Sequence, residues 1–287
     1  MGTIVRLVTL ALALWALPAA AASIPAPAPL TVFVSILPQK YFVERVGGKH
    51  VAVSVMVGPG QSPATYEPTP RQMSALAQAR LYLSIGVGFE DAWMQRIQAA
   101  NPGLRVLPMQ RGIVLLPLGE ADAKHGATDP HVWTSPRRVE KMAATIRDAL
   151  TEADPAHRRD YASNCRAFIA ELDALDRDIR AILAHAAGKP FLVFHPSWSY
   201  FAQDYGLRQI AIEAEGKEPG AKALARVIEL GRRERVKVLF VQAQFSRRTA
   251  ETVAAAIGAK VVTVDPLAED YAQNLLRVAH AFADALR

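Results

Sequence analysis

Several common protein classes are excluded by what this chain lacks. It has one cysteine, Cys165, among 287 residues, so no disulfide can close within it and a cysteine-built zinc fold is ruled out. No G-x-S-x-G elbow, no Walker or dinucleotide glycine fingerprint and no H-E-x-x-H helix occurs. The commonest hydrolase, nucleotide-binding and zinc-protease signatures are therefore missing. Beyond the first 22 residues, no apolar run approaches the ~20 residues that a membrane-spanning helix needs. Charge is not gathered in one place either. The 33 Lys and Arg exceed the 27 Asp and Glu, but the basic pairs fall one per predicted helix, as solvated faces do. Nucleic acid is not an expected partner.

At the N-terminus, Arg6 precedes "LVTLALALWALP" and then "AAAA". A basic residue, a short apolar stretch and small residues predict a secretory signal peptide over residues 1–22, cleaved near Ala22–Ser23. No cysteine follows it to carry a lipid anchor. Export with a single cysteine points to the periplasm. Residues 23–30 read as a Pro/Ala-rich leader.

The rest alternates strand and helix patterns. "TVFVSIL", "VAVSVMV", "LYLSIG" and "LRVLP" read as strands separated by helices. "FLVF", "IAIEAE", "VKVLFV" and "VVTV" repeat the logic later. Nearly uniform apolar strands in such an alternation predict parallel sheets covered on both faces. Between the two series a three-to-four apolar spacing from Tyr161 to Leu183 predicts one long helix over about 157–187. The fold class is α/β, with two lobes, each a mainly parallel sheet flanked by helices, joined by that helix. The expected division is an N-terminal lobe at 31–154, a linking helix at 155–188 and a C-terminal lobe at 189–287.

In open parallel sheets, ligands bind beyond the carboxyl ends of the strands. Four places there carry the informative residues: the loop "GQSPATYEPTP" after the second strand, His131 in "DPHVW", His195 after "FLVF" and Asp265 after "VVTV". Two imidazoles and a carboxylate are suitable donors for a divalent transition metal. They are equally compatible with a rim histidine, a helix-capping turn and an ordinary Asp-Pro exit, because the spacings form no local motif. Cys165 falls on the apolar stripe of the long helix and reads as a packing residue. His157 and His185, near the ends of that helix, are expected to face solvent, and His50 and His280 have no acidic neighbour in sequence.

Taken together and in order, "SILPQKYFVERVGGKHVAVSVMVGPGQSPATYEPTP", "LYLSIGVGFEDAW", "DPHVWTSP", "FHPSWSYFAQDYGL" and "VVTVDPLAEDYAQNL" resemble the periplasmic metal-binding solute-binding proteins of zinc and manganese ABC importers. "IEAEGKEPGAKAL" and "FVQAQFS" are similar to the zinc-type branch. The resemblance implies a non-enzymatic, monomeric receptor with metal held between its lobes and a membrane-embedded ABC permease as partner. It implies His131, His195 and Asp265 as ligands, and Zn2+ as cargo, with Mn2+ or Fe2+ as alternatives. The first binding loop departs from the family: "SPHTYEPTP" is typical there, and this chain has Ala64 in place of the histidine. Water, or Glu67 or His125 as an auxiliary donor, is expected to fill the vacant position. The rival readings are a metal-dependent enzyme or chelatase using the same cleft, and a receptor whose cargo has shifted to a metal chelate.

Overall fold

The computed structural model describes residues 28–118, 128–213, 220–242, 244–245 and 247–287. The expected signal peptide, most of the leader and His125 lie outside these residues. Strands β1 (Leu30–Val34), β2 (Val51–Val55), β3 (Leu81–Ser84) and β4 (Arg105–Pro108) form one sheet in the order β2-β1-β3-β4. A second sheet, in the order β6-β5-β7-β8, contains β5 (Pro190–Val193), β6 (Arg208–Ala211), β7 (Val238–Val241) and β8 (Lys260–Thr263). Every pairing is parallel. Parallel strands need crossovers, which the helices supply while covering both faces. In each sheet the strand order reverses beside the central strand, and the carboxyl ends of β1 and β5 open there into a crevice.

The helices are α1 (Leu37–Gly47), α2 (Pro70–Leu76), α3 (Gly88–Ala100), α4 (Pro136–Ala153), α5 (Arg158–Ile182), α6 (Ser199–Tyr205), α7 (Ala221–Arg233), α8 (Arg247–Ile257) and α9 (Tyr271–Ala285). Helix α4 starts as its sequence predicts. Ser135 Oγ accepts the Arg138 amide at 3.2 Å, and Pro136 occupies the first helical position, where a missing N–H costs nothing. The "TPRQ" at the end of the loop after β2 forms a capping box on α2: Thr69 Oγ accepts from Gln72 N, and Gln72 Oε1 accepts from Thr69 N at 3.0 Å. Among the described residues no helix is long and apolar enough to cross a membrane.

Helix α5 has 25 residues, about 38 Å at 1.5 Å each, and is shorter than predicted. It stops at Leu183, where a 3-10 turn over Ala184–Ala186 leads to Gly188 with φ of +76°. Its buried stripe, Tyr161, Cys165, Phe168, Leu172, Leu175 and Ile179, steps by four and three residues. That spacing keeps one face turned to the core along the whole helix. Burial raises the Cys165 thiol above its ordinary pKa, consistent with a packing role.

The main core does not divide at α5. Phe42 of α1 meets Phe168 of α5 at 6.0 Å and Tyr271 of α9 edge-on at 4.7 Å. Farther along α9, Phe282 stacks on Phe240 of β7 at 3.9 Å and meets Phe191 of β5 at 4.7 Å. The last helix thus packs on a helix of the first lobe and on the sheet of the second. A smaller core of Leu192, Phe194, Leu239, Val241 and Val253 fills the outer face of the second sheet, below α7 and α8.

Two histidine expectations are corrected. His157 is not turned to solvent: its ring stacks on His50 at 3.8 Å, and its Nδ1 lies 2.6 Å from Asp154 Oδ2. His50 has an acidic neighbour in space, with Nε2 at 2.8 Å from Asp160 Oδ2. The His50–His157 and His50–Asp160 contacts join the end of the α1 segment to the start of α5, between residues more than a hundred positions apart, which sequence neighbours could not reveal.

Candidate metal centre

His195 lies two residues beyond the last paired residue of β5. The register aligns Val193 with Ala211 of β6 and with Phe240 of β7. Continuing each alignment by two residues places His195 between Glu213 and Gln242. The contacts follow from this: Nδ1 of His195 is 3.1 Å from both oxygens of Glu213, and Gln242 Nε2 donates to the His195 carbonyl at 2.9 Å. Phe245 stacks on the imidazole with ring centres 4.9 Å apart. Burial pushes the His195 pKa below its ordinary value, against the opposing pull of Glu213. Metal ligation requires the neutral ring.

His131 comes from the turn ahead of α4. Asp129, fully buried, accepts both the His131 backbone N–H at 2.8 Å and its Nδ1–H at 2.7 Å. The "DPH" turn folds back on itself, so one carboxylate fixes both ends of the residue. Trp133 packs beside the ring at 5.0 Å and donates its Nε1–H to Pro266 O at 2.8 Å, which joins this turn to the second lobe. Tyr200 of α6 donates to the Asp129 carbonyl at 2.7 Å, closing the joint from the other side.

The two rings meet across the lobes, with His131 Nε2 3.3 Å from His195 Nε2. Each Nδ1 is engaged by a carboxylate, which assigns the proton to Nδ1 and leaves the Nε2 lone pairs converging. Two bare lone pairs at that separation repel unless a proton or a cation lies between them. Zinc–nitrogen bonds of about 2.0–2.1 Å in a tetrahedron would place two donors about 3.3–3.4 Å apart. The electrostatics agree. Asp129 and Glu213 are both buried, and among the described residues their only ion-pair partners are these histidines. Asp129 Oδ2 has no hydrogen-bond partner among the described residues. Two buried carboxylates with no Lys or Arg partner among the described residues favour a divalent cation beside them.

The other expected donors stand differently. Asp265 is half-buried on the cleft wall, where Oδ1 accepts the Leu267 amide at 2.8 Å, and among the described residues no hydrogen bond joins it to either histidine. Glu67 is exposed and Ala64 is exposed on the same loop. The frame of that loop is well held: Tyr66 donates to Gln72 at 2.5 Å, and Phe89 N donates to Pro63 O at 3.0 Å. Among the described residues no group of three or more His, Cys, Asp or Glu side chains is gathered around one point. Sequence reasoning missed the orienting roles of Asp129 and Glu213. The first lay two residues from His131, and the second follows from extending the register of adjacent parallel strands.

Two parallel-sheet lobes, with a convergent histidine pair at the crevice between them, define a two-lobed protein with a candidate metal site in its crevice. The family model described as "Zinc-uptake complex component A periplasmic" matches residues 32–286, and the chain belongs to that family. A solved structure titled "Crystal structure of ZnuA" superposes with a TM-score of 0.85 at 42% identity, covering 91% of this chain and 100% of that one. A second, the "138-173 ZnuA deletion mutant plus zinc bound", gives 0.85 and 42%, covering 90% of this chain and 98% of that one. The zinc-binding lipoprotein AdcA of Streptococcus pneumoniae is 28% identical over 251 residues, 83% of this chain; the matched region is about half, 50%, of AdcA. The family consists of receptors for zinc-uptake permeases rather than enzymes.

Proposed function

We propose that His131 and His195 bind the transported ion, zinc in the first place, with Asp265 as the third protein ligand. The observation that carries this reading is the pair of Nε2 atoms 3.3 Å apart, each ring braced by its own buried carboxylate. The chemistry of capture follows from those groups. The carboxylates keep each ring in the tautomer that offers Nε2, raise its basicity and supply the negative charge that draws a divalent ion. The aromatic walls of Trp133 and Phe245 exclude water and lower the local dielectric. A crevice narrowing around Asp265 would bring its carboxylate onto the ion.

No step of bond breaking is needed, and the protein acts by binding and release. Zinc-binding relatives favour zinc over manganese or iron as cargo. The receptor is a monomer that hands its ion to a membrane-embedded ABC permease. It reaches the periplasm through a cleaved leader at residues 1–22, with lobes at 31–154 and 189–287 on either side of the 155–188 helix. Calorimetric titration with zinc tests the site. His131→Ala and His195→Ala are each expected to weaken zinc binding by at least about a hundredfold, since loss of a ligand exceeds the 10–100-fold typical of its supporting groups. An unchanged isotherm in both variants would remove the assignment.

A further inference from the structure

His131 and His195 stand on either side of the crevice, yet a circuit of hydrogen bonds connects them. It runs forward from His195 along a segment that is pinned at each step. Gln242 Nε2 donates to the His195 carbonyl at 2.9 Å and to Ser197 Oγ at 2.6 Å, and Gln209 Oε1 accepts the Trp198 amide at 2.8 Å. Ser197 and Trp198 are fully buried. Tyr200, in the first turn of α6, is fully buried as well.

The Tyr200 hydroxyl spends both of its capacities on the chain around His131. It accepts the Leu116 amide at 2.9 Å and donates to the Asp129 carbonyl at 2.7 Å, while the Asp129 amide donates to the Leu116 carbonyl at 2.7 Å. Asp129 in turn accepts the amide and the Nδ1–H of His131 at 2.8 and 2.7 Å. The tyrosine is itself held in place. The Arg138 guanidinium lies 4.7 Å from its ring centre and pairs with Asp204 of the same helix at 2.6 Å. Ser135, at the cap of α4, donates to the other oxygen of Asp204. The circuit closes across the 3.3 Å between the two Nε2 atoms.

We infer that Tyr200 is a positioning residue of the zinc site: acting through Asp129, its hydroxyl ties the His131 turn to the segment that carries His195, so that the two imidazoles stand as a preformed half-site. This rests on the proposal that both histidines bind zinc. Tyr200 does not touch the ion. It fixes where the Asp129 backbone lies, and with it the direction of the His131 lone pair. Donors already in place need little ordering when the ion arrives, and the gain appears mainly as slower release. None of these residues lies on the Ala64 loop, so the half-site is held together without it.

Tyr200→Phe tests the inference, because it keeps the ring against Arg138 and removes only the hydroxyl. Tyr205→Phe is the control: it removes a buried hydroxyl from the same helix, one that donates to Asp176 Oδ1 at 3.0 Å and lies outside the circuit. Zinc release into excess chelator is timed by stopped flow, and the visible spectrum is recorded with Co2+ in place of zinc. Tyr200→Phe is expected to release zinc about tenfold faster than the wild type, the lower end of what groups supporting a metal ligand contribute, and to shift the Co2+ bands. Tyr205→Phe is expected to lower the melting temperature by a similar amount while keeping the release rate and Co2+ spectrum of the wild type. Release from Tyr200→Phe within about twofold of the wild type, with an unchanged Co2+ spectrum, overturns the inference and leaves the histidine pair standing. Equal acceleration in both variants overturns the positioning role and assigns the effect to a general loosening of α6. Failure of the wild type to retain zinc overturns the histidine-pair site itself.

Discussion

The two sheets share one strand order, and their central strands end at the same place in the topology, yet they finish in opposite chemistry. Two residues beyond the aligned positions Val193, Ala211 and Phe240 stand His195, Glu213 and Gln242. Two residues beyond the equivalent Val34, Val55 and Leu83 stand Ile36, Val57 and Ile85, all buried. One crevice is lined with an imidazole, its orienting carboxylate and an amide brace. Its counterpart is closed with three aliphatic side chains. The first lobe keeps polar groups one layer away, where Glu90 accepts from Ser35 Oγ and from the amides of Ile85 and Gly86 at 2.9 and 2.8 Å. Burial raises the Glu90 pKa despite those bonds. The same scaffold position can thus serve binding or packing, and which of the two depends on three residues just past the strand ends.

This contrast can be broken most severely at Glu213. Glu213→Gln is expected to weaken zinc binding 10–100-fold by loosening the His195 tautomer and lowering its basicity. Glu90→Gln should leave zinc affinity within about twofold while lowering stability by about 1–3 kcal/mol, because a buried acceptor for an amide is lost. Calorimetry and thermal unfolding on both variants separate the two; equal losses of affinity would mean that the first lobe also shapes the site. A smaller effect is expected at the joint between the lobes. Trp133→Phe keeps the ring against His131 but removes the donor to Pro266 O, at a cost of about 1–3 kcal/mol. At ~2–4 °C per kcal/mol for chains near this size, the melting temperature should fall by a few degrees.

The smallest expected effect lies away from the crevice, at Glu140 of α4. Burial, and then the nearby Asp173, push its pKa up to about 7. An acid raised in this way holds a proton in the fold that the unfolded chain has lost, so stability falls as pH rises from ~4.5 to ~7 and is level above that. Glu140→Gln should therefore raise the melting temperature at pH 8 and change it little at pH 4. A uniform shift at both values would assign the effect to packing instead of charge.

Much of this was readable in the chain. Apolar runs such as "VAVSV" and "VLFV" announce buried parallel strands, and the Ser135–Pro136 start of α4 is a local rule that tertiary structure did not override. His131 and His195 stood out in the sequence as polar donors beside apolar segments, and the structure sets their Nε2 atoms 3.3 Å apart, His195 just past β5 and His131 in the turn ahead of α4. What escaped the sequence depended on register and distance. Glu213 is eighteen residues from His195 and becomes its partner only through the β5–β6 pairing. His50 and His157 stack because α1 and α5 meet, and α5 ends early because of a backbone turn that periodicity does not encode.

One consequence concerns how the chain is made. Phe42 lies under the ring of Tyr271, more than two hundred residues later in the sequence. During synthesis the first lobe therefore remains unsealed along one face until nearly the whole polypeptide exists, and contacts of such long sequence separation form slowly. The last fifteen residues of ordered helix act as a keystone: a chain cut before Tyr271 loses a wall of both lobes instead of a dispensable tail.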